Sequence, residues 1–155
     1  MQLTEEQIEK MRSIGLTLDR SGTFWQEGAP VTHARLRQAL LRWLDVREDG
    51  KDIIRLDDKR YAYVTVEDAH LRALSARWEG SRCIVVWDDD HDEELDYASL
   101  RQAADNALYC TVRGKLRGRI ASPAYGTITE RIVPDGDGFV LEAAGKRWRV
   151  GTVST

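Results

Sequence analysis

The chain has 155 residues, of which 42% are hydrophobic and 32% charged, and it carries a formal net charge of −3 at pH 7. A chain of that length buries roughly 70% of its unfolded surface, so it can fold as one domain, or as two small halves sharing a core, without metal or disulfide. The acidic balance argues against a dedicated nucleic-acid binder, whose domain is normally basic, and no apolar run approaches the length that crosses a bilayer.

The opening residues lack the basic start and apolar stretch of a secretory signal, so a cytoplasmic location is expected. Thr4 and Gln7 have capping-box spacing, Leu3 and Ile8 have staple spacing, and Gly15 is a natural stop, which together predict a first helix. Ser21-Gly22 and Glu27-Gly28 punctuate two short β-prone runs. A second helix follows, capped by Thr32 and stapled by Val31 on Leu36, with Leu36, Ala39, Leu40, Trp43 and Leu44 on its apolar face. "DIIRLDDKRYAYVTV" reads as two strands around Asp57-Asp58, and "LRALSARWEGSRCIVVW" as a hairpin turning at Glu79-Gly80-Ser81. The run from Ile84 to Trp87 has the character of a central strand buried on both faces.

"DDDHDEELD" reads as an exposed acidic loop, and "DYASLRQAADNAL" as a helix with Leu100, Ala103, Ala104, Ala107 and Leu108 inward. "LYCTVRGKLRGRI" reads as one strand. Ser122-Pro123 caps a short helix carrying Tyr125, Ile128 and Ile132, which Pro134 ends, and "FVLEAAGKRWRVGTV" closes the chain as a hairpin. Cys83 and Cys110 form no CxxC pair and read as free thiols of a reducing compartment. The tryptophans at 25, 43, 78, 87 and 148 fall within these elements and read as core.

"DKRYAYVTV", starting at Asp58, returns as "GKRWRVGTV" 87 positions on. Asp49-Gly50 returns as Asp135-Gly136, and Ile53-Ile54 as Val140-Leu141. The pattern predicts an α+β fold of mostly antiparallel sheet, made of two similar helix–strands–helix–hairpin units, 1–87 and 88–155, packed together. A seam between like halves is a common place for a ligand.

The chemistry-bearing stretch is "RGKLRGRI". On one strand, alternation places Arg113, Lys115, Arg117 and Arg119 on a single face, with glycines between them that permit close approach. Such a row suits phosphate, a nucleotide or a protein carboxylate. It is equally compatible with a solvated strand face, or with a row neutralised by the acidic run folding over it. Lys59-Arg60 and Lys146-Arg147 stand at matching hairpin exits and either converge on the same anion or guard edge strands. The acidic run lacks the Asp-x-Asp-x-Asp-Gly loop with its distal Glu, so no metal is assigned beyond an adventitious ion near His91, and no cofactor is expected. His33, His70 and His91 lie in unrelated contexts without HExxH spacing, and there is no P-loop or dinucleotide glycine pattern.

Three stretches, "GTFWQEGAPV", "VTVEDAHL" from Val64 to Leu71, and "LYCTVRGKLRGRI" leading to Tyr125, resemble those of a bacterial family known only as domain of unknown function 1285, and the likeness spans Gly15 to Thr155. The resemblance implies a duplicated α+β core, a C-terminal half superficially like a pleckstrin-homology fold, an interdomain groove for a nucleotide-like ligand, and a signalling role.

Together these readings predict a non-catalytic sensing or signalling module that takes a nucleotide-like or phosphorylated small molecule between its halves. A protein–protein adaptor with a protein partner is the alternative, and a hydrolase or transferase built from Asp and His residues is a third. No membrane partner is expected, and nucleic acid is disfavoured.

Overall fold

In the computed structural model, which describes residues 4–153 and, over 8–11, the backbone alone, Thr4 and Gln7 close the predicted capping box. The Gln7 N–H donates to Thr4 Oγ1 (3.1 Å) and the Thr4 N–H to Gln7 Oε1 (2.9 Å). They open α1, Glu5–Arg12, and Gly15 follows in the left-handed region at φ 65°. The Leu3–Ile8 staple lies outside the described residues.

The chain divides into two units, Met1–His70 and Leu71–Thr155. Besides α1, the first holds β1 (Leu16–Leu18), β2 (Phe24–Gln26), β3 (Ala29–Pro30), α2 (Ala34–Trp43), β4 (Leu44–Val46), β5 (Asp52–Arg55) and β6 (Tyr61–Val66). Its sheet has the order β3-β2-β1-β6-β5-β4, antiparallel except where β6 runs parallel to β1. Both φ values at Glu27-Gly28 are positive, which closes the tight β2–β3 hairpin. His33, one residue later than Thr32, caps α2 by accepting the Leu36 N–H at Nδ1 (3.3 Å). The helix turns Leu41 into the core, whereas Leu36 and Trp43, expected inward, are 46% and 39% exposed.

The second unit holds β7 (Leu71–Glu79), β8 (Arg82–Trp87), β9 (Asp92–Glu94), a 3-10 turn (Tyr97–Ser99), β10 (Arg101–Gln102), β11 (Leu108–Val112), β12 (Leu116–Ile120), α3 (Ala124–Thr129), β13 (Ile132–Asp135), β14 (Gly138–Ala143), β15 (Lys146–Arg149) and β16 (Gly151–Thr152). A seven-stranded sheet runs β16-β10-β11-β12-β7-β8-β9 and a three-stranded one β13-β14-β15. β8 has partners on both sides and buries Cys83, Ile84, Val85 and Trp87, as its apolar run predicts. The β7–β8 hairpin, placed by sequence in the first half, belongs to the second unit because β7 pairs in parallel with β12.

Residues 96–108, expected as a helix, instead make the 3-10 turn, β10 and a loop. Asp105-Asn106 forms a turn: Asn106 has φ 70° and Asp105 Oδ1 accepts the Ala107 N–H. α3 stops at Thr129, so Ile132 and Pro134 lie on a strand, and Pro123 rather than Ser122 occupies its N-cap.

The repeat is real at the level of strand order. Three strands, a helix and three strands occur in each unit; α1 precedes them in the first, as the expected helix–strands–helix–hairpin order has it, whereas in the second only the 3-10 turn Tyr97–Ser99 stands where the opening helix was expected. If β15 and β16 are taken as one strand broken at Val150, β12-β11-β10-β16/β15-β14-β13 reproduces β3-β2-β1-β6-β5-β4. The sixth strand runs parallel to the first in both units. Strands β7 to β9 stand outside the repeat. The two quoted strands are nevertheless paired one residue out of step: Tyr61 opposes Arg55, whereas Trp148 opposes Leu141. The cause is the turn. Leu56 to Arg60 links β5 to β6, but only Ala144-Gly145, both at positive φ, links β14 to β15. A one-residue slip exchanges the faces of a strand.

Candidate functional site

"LYCTVRGKLRGRI" is a hairpin rather than one strand. Arg113 and Gly114 take positive φ (53° and 78°) and turn the chain, so Arg113 and Lys115 leave the row that simple alternation predicts. Arg117 and Arg119 remain together on one face of β12, half-buried. Leu116, Gly118 and Ile120 are buried on the other. Gly118 therefore admits no ligand between the cations. Its missing side chain leaves room for the Trp87 ring: a Cβ there would stand 2.6 Å from Trp87 Cζ3.

Pairing register adds residues that chain order hides. Arg101 opposes Tyr109, Tyr109 opposes Arg119, and Arg119 opposes Arg72. Cross-strand partners share a face, so Arg101, Tyr109, Arg119 and Arg72 form one row across β10, β11, β12 and β7, with Arg117 two residues along. Arg119 Nη1 donates to the Tyr109 hydroxyl, and its guanidinium carbon lies 5.4 Å from that ring's centre. Arg72 is anchored to Asp88, whose Oδ1 accepts the Arg72 N–H (3.0 Å) and whose Oδ2 lies 3.6 Å from Nη1.

The acidic run is not a solvated loop. Asp88 and Asp89 are buried, and Asp92–Glu94 is the edge strand β9. Arg113 Nη1 donates to Asp89 Oδ2 (3.3 Å) and its backbone N–H to Glu93 Oε1 (2.9 Å), so the run neutralises the turn end of the basic hairpin. Between these carboxylates lies His91, with Nδ1 on Asp89 and Nε2 on Glu93 (2.8 Å). A ring that donates from both nitrogens is an imidazolium. Burial pulls its pKa down, but the hydrogen bonds and charge of Glu93 and Asp89 outweigh burial and raise it. No group of three or more His, Cys, Asp or Glu side chains could hold a metal ion among the described residues.

The other basic pairs are not equivalent. Lys59 and Arg60 lie in the β5–β6 turn, where Arg60 Nε donates to Asp57 Oδ2 (2.7 Å). Lys146 and Arg147 begin β15 and, with Ser81, Glu142, Ala143 and Gly145, line a depression of about 300 Å³. His70, 1% exposed, is held by Asp52 (Nε2···Oδ1 2.7 Å). Burial pushes the Cys83 and Cys110 thiols up to about 11 and about 12, so neither is a ready nucleophile.

Two adjoining depressions open in the second unit. One, of about 220 Å³, is lined by Gln102, Leu108, Tyr125, Thr129, Ile132, Phe139 and Val150. The other, of about 290 Å³, is bordered by Asp105, Asn106, Arg119, Ser122 and again Tyr125. Among the described residues no helix is long and apolar enough to cross a membrane.

No protein-family model matches the sequence, nor does any curated protein significantly. Two solved structures do match in fold. A DUF1285 family protein from Silicibacter pomeroyi DSS-3 superposes with a TM-score of 0.74 at 17% identity, over 91% of this chain and 81% of its own. A DUF1285 family protein from Shewanella baltica OS155 gives 0.62 at 16% identity, over 75% of this chain and 91% of its own. The chain thus has the fold of the DUF1285 proteins, the family its sequence resembles.

Proposed function

We propose that the chain is a member of the DUF1285 family and acts as a non-catalytic sensing or signalling module whose second unit binds an anionic, phosphorylated or nucleotide-like small molecule. The observation that carries this reading is the cross-strand row of Arg101, Arg119 and Arg72, joined by Arg117, on one face of one sheet. Guanidinium groups on a rigid sheet are pre-organised for oxyanions. Arg117 and Arg119 are the retained members of the sequence motif. Arg113, drawn to Asp89 and Glu93, is a weaker candidate. Lys115, Lys146 and Arg147 serve at most as accessory cations, and Lys59 and Arg60, in the first unit, have no part in this reading.

A thermal-shift series with phosphate, pyrophosphate and nucleotides tests this. A ligand at 100 times its Kd stabilises by about 2.7 kcal/mol, or a Tm rise of roughly 5–10 °C for a chain of this size. Arg117→Gln/Arg119→Gln should abolish the rise. No rise with any anion would remove the reading.

A protein–protein adaptor is the second reading, favoured by Leu36, Trp43 and Leu56, which stay exposed on the first unit. Self-association that disappears in Trp43→Ser, seen by sedimentation, would support it. A monomer at all concentrations counts against it.

A further inference from the structure

We propose that one ligand spans both depressions of the second unit, an apolar aromatic body in the slot beside Phe139 and an anionic head at Arg119. This rests on the anion-binding reading above and names the kind of molecule. Tyr125 borders both depressions, and consecutive residues Ala107 and Leu108 line one each. The Tyr125 hydroxyl donates to Asn106 O (3.2 Å), and Asn106 belongs to the mouth, so the ring walls the slot while its polar tip faces the head. Neither depression alone reaches the roughly 300–1,000 Å³ of small-molecule sites, and joined they fall within it.

The slot wall decides the body. Leu108, Ile132, Phe139 and Val150 supply apolar surface, and Phe139 is 44% exposed. Each polar side chain there donates within the protein: Gln102 Nε2 to Asn106 Oδ1 (3.2 Å), Thr129 Oγ1 to Tyr125 O (2.8 Å) and, as above, the Tyr125 hydroxyl to Asn106 O. Such a wall rewards a flat hydrocarbon ring over a base that needs several hydrogen bonds. In the mouth, Asp105 is the opposing charge, and its Oδ1 is turned back onto the Ala107 N–H (3.1 Å). Arg119 and Ser122 complete the polar lining. An aryl phosphate or aryl carboxylate has this division of character.

The probe is 1-naphthyl phosphate, titrated calorimetrically against the full chain beside inorganic phosphate, 1-naphthol and adenosine monophosphate. The aryl phosphate should bind at least tenfold more tightly than inorganic phosphate or the nucleotide. Phe139→Ala and Arg119→Gln should each weaken it tenfold or more. Val150→Phe, which fills the slot, should block the aryl phosphate and spare inorganic phosphate, and it keeps the test decisive if Phe139→Ala does not fold. Inorganic phosphate binding that needs Arg119, with no gain from the naphthyl group, would overturn the two-part site and leave the anion reading standing. Binding of no anion at all would overturn both.

Discussion

Gly118 lies between Arg117 and Arg119, and its role separates two accounts of the motif. If the glycine let a ligand approach the cations, alanine there would weaken binding and leave the fold alone. The structure turns it the other way, onto Trp87, which is 1% exposed. An added Cβ would stand 2.6 Å from Cζ3 and closer still to Cη2, so the ring must retreat by about 1 Å into a packed core. Overpacking of this kind costs about 1–3 kcal/mol. Loss of glycine's freedom in the unfolded chain returns about 0.4–1 kcal/mol. Gly118→Ala should therefore destabilise by about 1–2 kcal/mol, read as a lower urea midpoint at unchanged slope. In a Trp87→Leu background the penalty should largely vanish, as a coupled pair requires. A penalty under about 0.5 kcal/mol, or one that persists unchanged beside Leu, would refute the packing role.

Gly114 offers the contrast. Nothing lies within 4 Å of its added Cβ, but φ is +78°, so Gly114→Ala should cost about 1–2 kcal/mol through the backbone alone and be indifferent to Trp87; equal sensitivity to Trp87→Leu would contradict this. His91 has a pKa raised in the fold from the ordinary 6.5, so its contribution to stability is full below 6.5 and is lost as pH rises through the raised value. The stability gap between the wild type and His91→Asn should accordingly be widest below pH 6.5 and shrink as the pH rises through the raised value, and a gap that widens with pH would be the wrong sign. Cys83 and Cys110, with thiols pushed up to about 11 and about 12 by burial, should resist disulfide reagents at pH near 8 until urea is added. Rapid labelling of the native chain would show that at least one of them is accessible.

Much of this architecture was legible in the residues because its signals were local. Thr4 with Gln7, and Gly80, mark a cap and a turn that are present where their chemistry requires them. The α+β class and the doubling could be read from spacing. The misread stretches have long-range causes. Leu100 to Leu108 has helical spacing, but Asp105-Asn106 prefers the turn, and β16 and β11 claim the backbone of β10 on either side. Arg113-Gly114 folds a presumed strand into a hairpin, which no alternation rule anticipates. Arg101 and Arg72 were invisible as members of the candidate row because register, not chain order, aligns them with Arg119. Lys59-Arg60 and Lys146-Arg147 look alike in sequence, yet a shorter turn in the second hairpin shifts its pairing by one and gives them different settings.

The most direct measurement is a backbone-amide NMR titration of the full chain with pyrophosphate. Saturable shifts gathered on Arg101, Tyr109, Arg117, Arg119 and their strand neighbours are the expected result. Small, unsaturable shifts scattered over exposed cations such as Lys59 and Lys146, with that row unmoved, would contradict an anion site on the large sheet.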